Sequence, residues 1–184
     1  MLKLLFIVGS LRKDSFNLQL AKAAAKYLDG KAEVKFLDYK SVPFFNQDIE
    51  FPAPSSVTAV RNDVKNADGI WIFSPEYNHY FPGVLKNLLD WLSRPINVAE
   101  GNVLQGKPVA LSGITPGMCG TCLAQDHLVT LLSFLNMKIM NVPRLTIPSA
   151  MSQVDEEGKL HLVSSNIFLF TQAEAFLKFV QCRV

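Results

Sequence analysis

Apolar runs and amphipathic stretches alternate along the chain. Leu2–Val8 (LKLLFIV) is almost continuously apolar, as expected of a strand covered on both faces. Phe16–Leu28 sets Phe16, Leu20, Ala23, Ala24 and Tyr27 on one face and predicts a helix, with Gly30 just beyond it as a cap. Glu33–Asp38 alternates and predicts a second strand. Residues 39–54 form a proline-broken loop around PFFNQD, long enough to demand a purpose. Ser55 and Ser56 offer a cap to a helix over Val57–Asn66. Gly69–Phe73 (GIWIF) predicts a third strand. Phe81–Leu92 predicts a helix with Leu85, Leu88, Leu89 and Leu92 inward and Pro82 in its first turn, where no N–H is needed. A fourth strand is expected over Lys107–Ile114 and a helix over Thr121–Leu135. A fifth strand over Lys138–Met140 and Arg144–Ile147 is interrupted by Pro143, and Gln153–Leu160 reads as a surface connection. Ser164–Val180 reads as a closing helix.

Five strands alternating with helices predict an α/β fold with an open, doubly wound parallel sheet, in one domain over residues 1–184. Ligands of such sheets bind beyond the carboxyl ends of the strands. Three loops therefore carry the functional interest: GSLRKDSFN after the first strand, SPEYNHY after the third and GITPGMCGT after the fourth.

Composition narrows the classes. With 184 residues, 49% apolar and 18% charged, the chain can bury one sizeable core. A net charge of +2 without a basic stripe argues against nucleic acid. No stretch approaches the ~20 apolar residues of a membrane span, and the start lacks a signal-peptide pattern. Three cysteines do not make a secreted disulfide framework, so a cytoplasmic location is the expectation.

In GSLRKDSFN, Ser10, Ser15 and Asn17 can donate hydrogen bonds and Arg12 can grip two phosphate oxygens, beside the free N–H groups of a helix start. A pyrophosphate needs close backbone approach and therefore several glycines. The single Gly9 suits one terminal phosphate ringed by side chains. An ordinary helix cap by Asp14 or Ser15 is the competing reading. In SPEYNHY, Pro75 stiffens the turn, Tyr77 offers a flat face and Asn78 can both donate and accept. This suits the edge of a planar heterocycle such as a flavin. Aromatics packed on the sheet, with Asn78 as a cap, are the alternative. His79 has no obvious carboxylate to orient it as a base. The third loop adds Thr115 and a C-x-x-C, Cys119 and Cys122, which is either a redox dithiol or two small residues in a tight turn. No second pair completes a metal site, and no nucleophile elbow or thiol-phosphatase motif occurs. Glu76 and Asp14 make a poor pair for acid–base hydrolysis.

Together, GSLRKDSFN and SPEYNHYFPGVLKNLLDWLSR resemble the NADPH-dependent FMN reductase family, the flavodoxin-like group of quinone, chromate and azo-dye reductases. FNQD (Phe45–Asp48), GKPVAL (Gly106–Leu111) and the TPG loop add weaker support, and the resemblance runs from about Leu2 to Leu135. It implies a three-layer α/β/α sandwich with a five-stranded parallel sheet ordered 2-1-3-4-5. It implies FMN, with the phosphate at Ser10, Arg12, Ser15, Phe16 and Asn17. The ring would lie along Pro75, Glu76, Tyr77 and Asn78, with Thr115 and Gly117 on its far side. The donor would be NADPH or NADH and the acceptor a small molecule, served by one site in ping-pong fashion. No side chain would be catalytic in its own right, because the flavin carries the chemistry. A homodimer, or a tetramer built from it, is implied, with the FNQD loop and the helix from Phe81 at the interface. A flavodoxin-type electron carrier and a flavin-binding redox sensor using Cys119 and Cys122 are the alternatives. The slightly basic charge and the arginine in the phosphate loop weigh against the carrier. The chain departs from the family in its fourth-strand loop. Relatives often carry a small hydroxyl where Gly113 stands, a Gly-Gly pair at Gly120-Thr121 and an arginine at Leu123.

Overall fold

The computed structural model describes residues 1–97 and 100–182. Its parallel sheet is built from β1 (Leu2–Val8), β2 (Ala32–Phe36), β3 (Gly69–Phe73) and β4 (Pro108–Ile114), with its last position shared by β5 (Lys138–Ile139) and β6 (Leu145–Ile147). The order is β2-β1-β3-β4-β5, with β6 also paired to β4, which is the flavodoxin-like winding. The register sets Val8 opposite Phe73 and Phe73 opposite Ser112, so β1, β3 and β4 end side by side. Their following loops open on one rim of the sheet.

Alternation explains why β1 could be apolar almost throughout. Leu4, Phe6 and Val8 point into a core shared with α1 (Phe16–Tyr27) and α5 (Asn166–Gln181). Leu5 and Ile7 point into a second core under α2 (Ser55–Asn66), α3 (Gly83–Ser93) and α4 (Cys122–Phe134). Helices thus cover both faces of the sheet. Among the described residues, no helix is long and apolar enough to cross a membrane.

Most boundaries fall within two residues of expectation, and the differences have causes. The buried face of α1 is Asn17, Leu20, Ala21 and Ala24, whereas Phe16, Ala23 and Tyr27 are only partly covered. Asn17 is drawn inward because its amide meets β4. Helix α2 begins at Ser55 with Pro54 in the cap position, and Pro54 O accepts from the N–H groups of Val57 and Thr58. Likewise Pro82 precedes α3 instead of lying in its first turn. Gly30 lies beyond the end of α1 with φ +72°, the left-handed turn expected of it.

The interruption in the last strand leaves the edge of β4 away from β3 without a paired strand between Val109 and Ser112. Gln172 of α5 takes up the slack: its Nε2 donates to Leu111 O at 2.8 Å and to Pro143 O at 2.9 Å. Its Oε1 accepts from Ser112 Oγ, which in turn accepts from Trp71 Nε1 at 2.8 Å. A buried amide thereby replaces a missing piece of ladder.

The long loop after β2 is strapped to α3. Asn87 accepts from Phe45 N and donates to Pro43 O, and Trp91 Nε1 donates to the same carbonyl. Farther along, the buried Glu50 carboxylate receives Arg94 through Nε at 2.7 Å and Nη2 at 3.2 Å. A short 3-10 turn at Gln47–Ile49 is capped by Asn46.

Candidate functional site

The rim formed by the ends of β1, β3 and β4 holds a cleft of about 380 Å³. Ser10, Arg12, Ser15, Phe16 and Asn17 line one side, and Pro75, Glu76 and Tyr77 the other. Thr115 closes it, joined by Ile114 and Pro116. Nine of the eleven residues singled out in the sequence therefore meet in one place. Asn78 and Gly117 lie outside the lining. Ile114 and Pro116 were missed, although both flank Thr115 and the strand end made them visible in principle.

Helix α1 starts at this cleft with Ser15 in the cap position, yet the Ser15 hydroxyl makes no capping bond. It is buried, with 3% of its surface exposed. The simple-cap reading of GSLRKDSFN thus loses its main feature. A hydroxyl and the first-turn N–H groups are left facing the cleft, where the helix start favours an anion. Among the described residues Arg12 has no carboxylate partner, and its guanidinium lies over the Phe16 ring, 5.3 Å from the centroid. Stacking holds the cation beside the helix start while leaving its N–H fork free. Ser10 Oγ accepts from Arg12 N at 3.3 Å and tightens the turn.

Asn17 has a further job that its sequence position did not suggest. Its Nδ2 donates to Ile114 O at 2.9 Å and its Oδ1 accepts from Ile114 N at 3.1 Å. These bonds pin the end of β4 to the start of α1 and use one of the two Nδ2 hydrogens.

Glu76 is also committed. One carboxylate oxygen accepts from Ala124 N at 3.0 Å, in the first turn of α4. The other lies 3.5 Å from His79 Nδ1. The carboxylate that seemed missing for His79 is therefore three residues before it. His79 nevertheless sits at the exposed tip of a turn and does not line the cleft. Asn78 and His79 take φ of +52° and +63° between Tyr77 and Tyr80, whose backbones exchange two hydrogen bonds. This tight primed-type turn aims Tyr77, half exposed, along the cleft wall. Capping by Glu76 places a carboxylate against the positive end of α4, which meets part of its charge locally.

The third loop is held by its backbone. Thr115 N donates to Ile147 O and Thr115 O accepts from Ala150 N. Behind it, Gly113 is obligatory. A Cβ there would fall 2.2 Å from Thr121 Oγ1 and 2.4 Å from Ser74 O. The buried Thr121 hydroxyl therefore fills the space that a side chain at 113 would need. Cys119 and Cys122 are exposed free thiols. No group of three His, Cys, Asp or Glu suited to a metal occurs among the described residues.

A free phosphate cradle, an oriented guanidinium and an aromatic wall around one cleft fit a phosphorylated planar cofactor. Comparison with known proteins agrees. The family described as NADPH-dependent FMN reductase matches residues 2–152. A 2-hydroxy-1,4-benzoquinone reductase from a Burkholderia species is 37% identical over 99% of this chain and 98% of its own. An NAD(P)H-dependent FMN reductase from Pseudomonas aeruginosa is 35% identical over 86% of this chain and 84% of its own. Among solved structures, the flavoenzyme NAD(P)H:(acceptor) oxidoreductase FerB from Paracoccus denitrificans superposes with a TM-score of 0.87 at 31% identity, covering 98% of both chains.

Proposed function

The chain belongs to the NADPH-dependent FMN reductase family, and on that premise we propose that its cleft holds FMN and serves NAD(P)H and a quinone-type acceptor in turn. Its activity is that of an NAD(P)H-dependent flavin or quinone reductase with FMN as cofactor. Bound there, FMN supplies the redox chemistry, accepting a hydride from a nicotinamide and releasing two electrons to an acceptor. The protein's part is to bind and orient. Ser10, Ser15, Arg12 and the first-turn N–H groups of Phe16 and Asn17 take the phosphate. Pro75, Tyr77 and the Glu76 backbone border the ring on one side, with Thr115 and Gly117 beyond it and Asn78 holding the turn. No side chain in the cleft is needed to hold or move a proton in the redox step.

The observation that carries this reading is the Ser15 hydroxyl, buried at a helix start without a capping bond beside an unpaired Arg12. A single open cleft for both substrates implies ping-pong kinetics. Initial rates varied over dinucleotide and benzoquinone should give parallel double-reciprocal lines; intersecting lines would reject shared occupancy. Anaerobic mixing of the FMN-loaded protein with NADPH should bleach the flavin band rapidly. A lasting yellow colour would return the electron-carrier reading.

We also infer a homodimer, with a tetramer as its further assembly. Phe44, Ile49 and Phe51 on the strapped loop, and Leu123 and Phe134 at the two ends of α4, expose large apolar surfaces, as an unburied interface would. The cytoplasm is the location consistent with three free exposed cysteines and a nicotinamide donor.

A further inference from the structure

Cys119 and Cys122 have no part in the flavin site. They are the two ends of a four-residue turn between β4 and α4, closed by Cys122 N donating to Cys119 O at 3.3 Å. A turn of this kind keeps its first and fourth Cα atoms within about 7 Å, the span that a disulfide bridges. The middle of the turn is anchored. Gly120 takes φ +63°, and a Cβ on it would lie 3.2 Å from Thr146 Cβ. Thr121 is fully buried against Gly113, and its Oγ1 accepts from Gln125 Nε2 at 2.9 Å. Just before the turn, Ser149 N donates to Gly117 O at 3.1 Å. Within the turn, only the two thiol-bearing ends face solvent.

Two thiols on one anchored turn can complete a reaction that a single thiol can only begin. Among the described residues no third His, Cys, Asp or Glu joins them, so the ligand set of a structural zinc is not assembled there. We propose that Cys119 and Cys122 form a redox-active dithiol, a second redox site on this chain, whose substrates are small-molecule disulfides. One cysteine thiolate attacks the substrate: its S–S bond breaks, a mixed disulfide forms on the protein, and one thiol departs after taking up a proton. The other cysteine then attacks the protein sulfur of that mixed disulfide. The Cys119–Cys122 bond forms, and the second thiol leaves. The substrate gains two electrons and two protons, and the cysteine pair loses them. Neither step needs flavin or nicotinamide, so the inference stands apart from the reductase reading. The open dithiol is the resting form in the reducing compartment inferred above, and closure reports a shift toward oxidising conditions.

The test treats the full-length, fully reduced protein with glutathione disulfide under anaerobic conditions. The reaction is quenched in acid, remaining thiols are alkylated, and tryptic peptides are weighed without reduction. Cys119 and Cys122 fall on one tryptic peptide, and Cys182, the third exposed thiol, falls on another and serves as the internal reference. In wild type the peptide holding the pair should lose two hydrogens and carry no glutathione, while the Cys182 peptide should retain glutathione or stay a thiol. Dithiothreitol should restore both thiols of the pair. Cys119→Ser and Cys122→Ser should each stop the reaction halfway and leave glutathione on the remaining cysteine, because the resolving thiol is gone. A wild-type peptide that keeps glutathione would overturn the assignment, since it shows two thiols reacting singly. So would a pair that stays fully alkylatable while Cys182 reacts. Leu123 follows Cys122 directly, so a second copy seated over Leu123 and shielding the pair would give that same unreactive result and sink the proposal.

Discussion

Arg12→Ala gives the most direct reading of the phosphate site. The guanidinium is exposed but stacked on Phe16 and, among the described residues, has no carboxylate partner, so its hydrogen-bonding fork is uncommitted there. A charge-assisted hydrogen bond is worth roughly 1.5–3 kcal/mol where water is excluded. Solvent access at Arg12 moves the expectation to the lower end, about 1.5 kcal/mol, or roughly a tenfold rise in Kd for FMN. Riboflavin lacks the phosphate and should lose no more than about twofold, or ~0.4 kcal/mol. Arg12→Lys keeps the charge and loses the fork, and should fall between the two. The assay is titration of apo-protein with each flavin, followed by quenching of flavin fluorescence. The FMN loss should also shrink as salt is raised, because the contact is exposed. Equal losses for FMN and riboflavin would refute the assignment and leave Arg12 as a packing residue over Phe16.

Two further predictions concern the frame around the site. Gln172→Leu strands the buried Ser112 hydroxyl and the Leu111 and Pro143 carbonyls, and should destabilise the fold by about 2–4 kcal/mol in chemical denaturation; a change under ~1 kcal/mol would show that the gap in the ladder rearranges freely. Tyr39 donates to Val8 O at 2.6 Å, and burial pushes its phenol well above the ordinary range. The neutral form is the one that folding stabilises, so its contribution is complete below the unfolded phenol's pKa of about 10 and is lost as pH climbs beyond it. Tyr39→Phe should therefore weaken the protein by about 1 kcal/mol at neutral pH and flatten the alkaline limb of the stability curve; identical alkaline limbs in both proteins would contradict that account.

Features that depend on neighbouring residues were legible from sequence. A buried strand followed by a polar turn and a helix is local, so the β1 and β3 loops and most residues of the cleft could be found without a structure. Features that depend on distant partners were not. The bonds of Asn17 to Ile114, 97 residues away, could not be read from anything near it in the sequence. Those same bonds rotated the buried face of α1 away from the apolar stripe. Glu76 looked like a flavin contact, and its role as a remote cap for α4 depends on Ala124, 48 residues on. The hydroxyl of Ser15 was read from the sequence as part of the site, and only the structure shows that it does no capping.

Gly113 and Thr121 also bear on how this loop can change over generations. The arrangement that the family resemblance implies, a small hydroxyl at 113 and glycine at 121, is the mirror image of the one found here. From the present sequence, a first step at 113 drives a side chain into Thr121 and the Ser74 carbonyl. A first step to glycine at 121 clashes with nothing; it leaves a hole and removes the acceptor of one Gln125 Nε2 hydrogen bond. The two arrangements are therefore joined by an ordered path in which 121 empties and the Ser74 carbonyl shifts before 113 is filled. A lineage entering either state is held there by the order of steps, and the two positions should be inherited together.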